Sequence, residues 1–187
     1  ISVHPSRVPA LVDDCIAKGV KAAVVFSSGF RENGDEGGKT EELLVQRARE
    51  GGMRIIGPNC MGLYSPSSGL SFFPGMPKEE GKTAFLSQSG SLANMLGISA
   101  GERGIRFSRM ISVGNAADLD MNDFLEYLES DEKTELITLY LEGIADGRRF
   151  LDLAARISPR KPILIWKVGR TEGGRESAAS HTGSLSG

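Results

Sequence analysis

Short apolar runs recur along this chain, separated by segments of helical period, and that alternation does most to restrict its fold. Residues 21–26 (KAAVVF), 54–56 (RII), 83–86 (TAFL), 107–113 (FSRMISV), 136–141 (LITLYL) and 162–167 (PILIWK) each predict a strand. A further strand is expected at Ile1-Ser2-Val3. Val8, Leu11, Val12, Cys15 and Ile16 fall at i, i+3, i+4, i+7 and i+8, a helical stripe with Ser6 placed to cap it and Gly19 to stop it. After a polar loop over 27–38, Leu43, Leu44 and Ala48 mark a second helix that ends at Gly51-Gly52. Residues 92–102, 121–129 and 148–157 predict further helices, the middle one with Phe124, Leu125 and Leu128 on one face. Strands alternating with amphipathic helices mean parallel sheets covered on both faces, the α/β class. No internal repeat of roughly 20–50 residues is evident.

The alternation is interrupted once. Residues 58–81, rich in Gly, Pro and Ser, read as a connection between two α/β units, 1–57 and 82–187, with one short strand near 70–73. The chain opens as though a strand were already under way and stops at Ser186-Gly187 within a Gly/Ser-rich stretch, so it reads as a fragment of a longer chain. A formal charge of −2 argues against a nucleic-acid partner. No apolar run approaches the roughly 18–20 residues of a membrane span, and no signal peptide is visible. Two cysteines and two histidines are too few for a disulfide framework or a closed zinc site, which leaves reduced thiols, a cytoplasmic setting and no metal on this chain. The 24 glycines among 187 residues imply several loops where backbone approaches something closely.

In open parallel sheets, ligands bind beyond the carboxyl ends of the strands. The predicted strands lead, in turn, into Ser27-Ser28-Gly29, Gly57-Pro58-Asn59-Cys60, Ser87-Gln88-Ser89-Gly90-Ser91, Gly114-Asn115, Glu142-Gly143, and a glycine-rich loop holding His181. Ser89, Asn115, Glu142 and His181 should therefore share one rim. A helix starting near Ser91 would offer free N–H groups and a positive dipole end to an anion; a serine-capped helix accounts for the same residues. His181, among small residues, could act as nucleophile or base, or lie solvated. Glu142, directly after an apolar strand, needs a partner: an imidazole, an arginine or a helix end.

Other signals are weaker. Gly34–Thr40 falls one residue short of a phosphate-binding P-loop, because Asn33 stands where the first glycine is required. No GxSxG elbow supports a hydrolase at Ser89. A Cys60/His181 dyad would need residues from different units. Trp166 and the Phe72-Phe73 pair read as core.

Taken in order, Gly57-Pro58-Asn59-Cys60-Met61-Gly62, Leu86-Ser87-Gln88-Ser89-Gly90, Val113-Gly114-Asn115-Ala116-Ala117-Asp118, Tyr140-Leu141-Glu142-Gly143-Ile144, and Lys167-Val168-Gly169-Arg170 leading to Ala178-Ala179-Ser180-His181-Thr182-Gly183 carry a resemblance. The chain resembles the α-type subunit, or CoA-ligase region, of the NDP-forming acyl-CoA synthetases, the succinyl-CoA synthetase superfamily, most closely its ADP-forming acetyl-CoA synthetase branch. The resemblance implies a Rossmann-like CoA-binding half-domain followed by a flavodoxin-like ligase domain. It implies that His181 is the phosphorylated histidine and Glu142 the glutamate that orients it, and that Ser89, Gly90 and Ser91 are the helix N-terminus holding the phosphoryl group. It places CoA against Phe26, Ser27 and Ser28 and against Asn59 and Cys60, and the acid near Asn94 and Asn115. It also implies ATP or GTP with Mg on an ATP-grasp partner, as a β-type subunit or a fused domain, in a hetero- or homo-oligomer. The family's opening glycine-rich turn would lie before Ile1. Asn94 stands where succinate-using members have a tyrosine, which points to another small carboxylic acid. Two other readings share the motifs: a CoA- or acyl-CoA-sensing module of a protein acetyltransferase, and a flavodoxin-like binding module without ligase activity.

Overall fold

The computed structural model describes residues 1–169. The first unit carries helix α1 (Val8–Ala17), strand β1 (Ala22–Val24), helix α2 (Asp35–Glu50) and strand β2 (Arg54–Ile56). β1 and β2 pair in parallel. Ile1 is bonded alongside β1, its nitrogen to the Val24 carbonyl (2.6 Å) and its carbonyl to the Phe26 N–H (2.9 Å), where the opening strand is expected. Val8 and Val12 of α1, Leu44 and Ala48 of α2, and Val25, Phe30, Met53 and Ile55 form this unit's core. Ser6 does not cap α1: a short 3₁₀ turn, Pro5–Arg7, precedes the helix. Helix α2 begins at Asp35, earlier than the glycines around it imply. A Cβ on Gly37 would sit 1.9 Å from the Phe30 carbonyl oxygen, so glycine is what lets the helix seat there.

The second unit is a six-stranded sheet of order β4-β3-β6-β5-β7-β8. It comprises β3 (Gly62–Ser65), β4 (Leu70–Ser71), β5 (Thr83–Ser87), β6 (Phe107–Ser112), β7 (Leu136–Leu141) and β8 (Ile163–Lys167). Helices α3 (Gly90–Glu102), α4 (Met121–Ser130) and α5 (Gly147–Ile157) connect the parallel strands. Period-2 alternation sorts the side chains into two layers. Ala84, Leu86, Ile111, Ile137, Leu139 and Leu141 pack with α4 and α5, whereas Phe85, Met110 and Tyr140 pack with α3.

Two expectations change. The Gly/Pro/Ser-rich stretch contains a hairpin, β3–β4, that joins the sheet antiparallel to β6, so this sheet is mixed rather than wholly parallel. Its glycine has a packing reason: at Gly62 (φ +81°) a Cβ would lie 2.9 Å from the Phe26 ring, which meets Phe72 edge-on at 5.3 Å. Trp166 and Phe72 are not core. Both are exposed, Trp166 standing perpendicular to the Tyr140 ring at 5.4 Å, while Phe73 is buried.

The units interlock where two glycine-containing loops cross. The N–H groups of Asn115 and Ala117 donate to the carbonyls of Pro58 (3.0 Å) and Gly57 (3.1 Å), and Leu119 N–H donates to Ile55 (3.2 Å). Gly114 (φ +55°) has no room for a side chain: a Cβ would fall 2.2 Å from the Pro58 oxygen and 2.3 Å from that of Asn59. Both obstacles are backbone, so Gly114→Ala is expected to destabilise by about 3 kcal/mol, combining left-handed strain with overpacking. A thermal melt within a degree of the parent would refute this account of the crossing.

Candidate functional site

Strand order β6-β5-β7-β8 has the form of a doubly wound sheet whose chain reverses between β5 and β7, the place where such sheets open a crevice at their carboxyl ends. The residues just beyond these two strands are Gln88–Ser91 and Glu142–Gly143.

Ser89 is the N-cap of α3, its hydroxyl accepting from the Leu92 N–H at 3.4 Å and lying 3.4 Å from the Ser91 hydroxyl. Ser87 Oγ donates to the Ser89 carbonyl (2.7 Å) and accepts from the Ser89 N–H (3.1 Å), which fixes the turn that starts the helix. Gly90 fits because a Cβ would meet Met61 Cγ at 2.3 Å. The first-turn N–H groups of α3 lie at the β5 end of the switch point, with Ser91 exposed.

Glu142 is 3% exposed. Its backbone is held on both sides: its N–H donates to Gln88 Oε1 (2.5 Å), and its carbonyl accepts from Lys167 Nζ (2.9 Å). Gln88 has no role assigned from sequence, although it lies inside one of the motifs. Its Oε1 also accepts from the Gly143 N–H (3.1 Å), and its Nε2 donates to the Gly143 carbonyl (2.9 Å). Asn94, in the second turn of α3, keeps a buried amide oxygen that has no hydrogen-bond donor among the described residues. His181 lies outside the described residues.

Asn115 reaches the same rim but is spent on joining the units. Its Nδ2 donates to Glu32 Oε2 (2.6 Å) and Glu41 Oε2 (2.8 Å), and its Oδ1 accepts from Asn59 Nδ2 (3.3 Å). The two carboxylates respond differently. Burial, the strongest influence on Glu41, raises its pKa despite the Asn115 bond and an ion pair with Arg31. Burial would raise Glu32 as well, but bonds from Asn115 and from the Gly29 and Phe30 N–H groups outweigh it and lower the pKa. Asp118 makes a second link, accepting from Arg49 Nε (2.7 Å), Arg54 Nε (2.9 Å) and the Ile55 N–H (2.7 Å) with a side chain that is fully buried. Burial opposes its ionisation, yet Arg54, Ile55 and Arg49 together lower its pKa.

Of the residues expected against CoA, Ser28 is exposed. Phe26 packs on Phe72, and Ser27 donates to the Val3 carbonyl (2.6 Å) and accepts from the Val3 N–H (3.0 Å). Cys60 is buried in the core with its Sγ 3.4 Å from the Val25 carbonyl, and burial pushes its pKa up to about 11.

A cleft of about 920 Å³ opens between α2 and the rim, within the size range of small-molecule and cofactor sites. The first unit contributes Arg31, Gly34, Asp35 and Lys39, and the second Gln88, Asn115, Met121 and Ile144. The near-P-loop residues 34–40 thus wall a cleft, but Asp35 and Glu36 occupy the first turn of α2, where acidic groups oppose phosphate. Among the described residues no group of three or more His, Cys, Asp or Glu could hold a metal ion. No helix among them is long and apolar enough to cross a membrane.

Known proteins share this arrangement. Residues 80–187 match the succinyl-CoA ligase like flavodoxin domain family, and residues 1–66 match a CoA binding domain. The chain is 42% identical, over its whole length, to 28% of the acetate–CoA ligase [ADP-forming] I of Archaeoglobus fulgidus. It is 46% identical, again over its whole length, to 41% of the acetate–CoA ligase [ADP-forming] I subunit alpha of Pyrococcus furiosus. It also superposes, with a TM-score of 0.91 and 47% identity, on a solved structure of a Candidatus Korarchaeum cryptofilum dinucleotide forming acetyl-coenzyme A synthetase 1 in complex with phosphate and ADP, covering all of this chain and 40% of that one. The chain therefore spans less than half the length of these relatives. With the motifs in order, the switch point built from two of them and a CoA binding domain preceding the sheet, the chain belongs to the succinyl-CoA ligase like flavodoxin domain family.

Proposed function

We propose that this chain is the CoA-ligase portion of an NDP-forming acid–CoA ligase, and that His181 carries the phosphoryl group between nucleotide and acid. What supports the reading most is the pairing, at one switch point, of a serine-capped helix N-terminus with a buried glutamate, in a chain of this family. In the first step neutral His181 attacks the γ-phosphorus of ATP or GTP. An N–P bond forms, and the P–O bond to the departing NDP breaks. Glu142 holds the ring N–H opposite the attacking nitrogen and stabilises the charge that develops. The N–H groups at Ser89, Gly90 and Ser91 receive the phosphoryl oxygens. A carboxylate oxygen of the acid then attacks phosphorus, the N–P bond breaks, and an acyl phosphate results. The thiolate of CoA attacks the acyl carbon and releases phosphate.

The cleft carries charges of both signs, Arg31 and Lys39 beside Asp35, Glu42 and Asp120, with the apolar Met121 and Ile144 on the rim side. Asn94, in the second turn of α3, is the residue we assign to the small carboxylic acid, whose carboxylate would accept from its amide NH₂ group. CoA, which supplies the thiol, would lie along the loop after β1, where Ser28 is the exposed contact and Asn59 the nearer end. ATP or GTP and Mg belong to an ATP-grasp region, either a β-type subunit or a fused domain, in a cytoplasmic hetero- or homo-oligomer. The units would divide after residue 57, and 58–81 would join 1–57 to 82–187 while lending the hairpin β3–β4 to the sheet of the second.

The test is to incubate the complete enzyme with ATP labelled in its γ-phosphate and map the label. Label on His181, absent from a His181→Asn enzyme, supports the reading. Label that persists in that variant rejects it.

A further inference from the structure

Gln88 makes three hydrogen bonds with its side chain, and all three go to the backbone of two consecutive residues, Glu142 and Gly143. Its own N–H donates to the Tyr140 carbonyl (3.3 Å), so main chain and side chain together grip the end of β7. The residue after Gln88 is the N-cap of α3. One amide thus ties the loop bearing the glutamate to the turn that starts the anion-binding helix, across the point where the chain reverses. A glutamine suits this task. One carbonyl oxygen with two lone pairs serves two successive N–H donors, while the NH₂ group returns a donor to the Gly143 carbonyl. An apolar side chain of the same length offers none of these bonds, and a shorter amide would fall short.

We propose that Gln88 is a positioning residue for the phosphohistidine step. It holds the Glu142 backbone so that the carboxylate meets the imidazole while the phosphoryl group rests at the α3 terminus. The proposal rests on the reading of Glu142 and His181 given above. Gln88 itself touches no reacting atom. Its effect is geometric, and displacement of a catalytic group by about 1 Å can cost on the order of 100-fold in rate.

The experiment is a double-mutant cycle in the complete enzyme, with the rate of His181 labelling from γ-labelled ATP as the readout. Gln88→Met is expected to slow labelling about 10- to 100-fold, and Glu142→Gln to slow it at least as much. In the Glu142→Gln background, Gln88→Met should add less than about 3-fold, because the carboxylate it would position is gone. Gln88→Asn, neutral and too short to reach these backbone groups, carries the same cycle if Gln88→Met does not fold. A purely structural role would slow both backgrounds alike. Equal slowing in the two backgrounds, or labelling by Gln88→Met at the parent rate, overturns the proposal while the Glu142 reading stands. Parent-rate labelling by Glu142→Gln alone overturns the Glu142 reading, and the positioning role with it.

Discussion

A His181→Asn enzyme is expected to lose acid–CoA ligation by at least about 10⁴-fold, because the proposed path forms and breaks a covalent bond at that ring. Asparagine keeps a similar shape and a hydrogen-bonding amide, so loss of the imidazole, not of local packing, is what the variant reads. The effect should divide by half-reaction. Exchange of labelled ADP into ATP needs only His181 and the nucleotide site, so it should fall to background. Arsenolysis of acyl-CoA needs the acyl site but no phosphohistidine, and it should survive at a measurable fraction of the parent rate. Loss of both together, with an unchanged melting temperature, would mean that the histidine serves the acyl step directly and would displace the courier role.

The second large effect is on stability. Asp118→Asn is expected to lower unfolding free energy by about 3 kcal/mol at neutral pH. The buried carboxylate binds two guanidinium groups and the Ile55 N–H, and removing one partner from such a cluster typically costs about 3–5 kcal/mol. The lower end applies because Arg49 and Arg54 are about half exposed and can rehydrate. The sign with pH follows from the lowered pKa. Native Asp118 binds its proton more weakly than the unfolded chain does, so its contribution is complete above the unfolded value near 3.9 and is lost as pH falls through the native one. The difference in melting temperature between parent and variant, about 6–12 °C near neutrality, should narrow once the pH drops below about 4. A gap that stays constant down to pH 3 would assign the loss to shape rather than charge. Glu41 acts in the opposite sense. Its pKa is raised, so its ionisation weakens the fold as pH rises from the unfolded value through the native one.

The contrast between these groups and the strands indicates what a sequence can disclose. Residues 54–56 and 136–141 are legible because apolar content and strand length are local, and both strands form at those residues. Ser89 is legible for the same reason, since an N-cap bonds within its own turn. Of the hairpin, β4 falls within the strand expected near 70–73, whereas β3 escapes notice because Gly, Pro and Ser around it satisfy every criterion of a connection, and only its pairing with β6 makes it sheet. Gln88 and Asp118 escape for a different reason. Gln88 bonds residues 54 and 55 positions away, and Asp118 reaches 63 to 69 positions, so neither partnership exists until strand order brings the segments together. Trp166 misleads because bulk and apolarity argue for burial, whereas β8 is the outermost strand among the described residues and leaves the ring exposed.

The crossing of residues 57–59 with 114–119, fastened on one flank by Asn115 and on the other by Asp118, bears on how the cleft would choose its guest. Its two sides come from separate units, yet they are bolted together before anything enters, so the mould is stiff. A guest too bulky for it would be refused at the threshold instead of being accommodated by yielding walls. Selectivity would then show itself as failure to associate, not as sluggish turnover after capture.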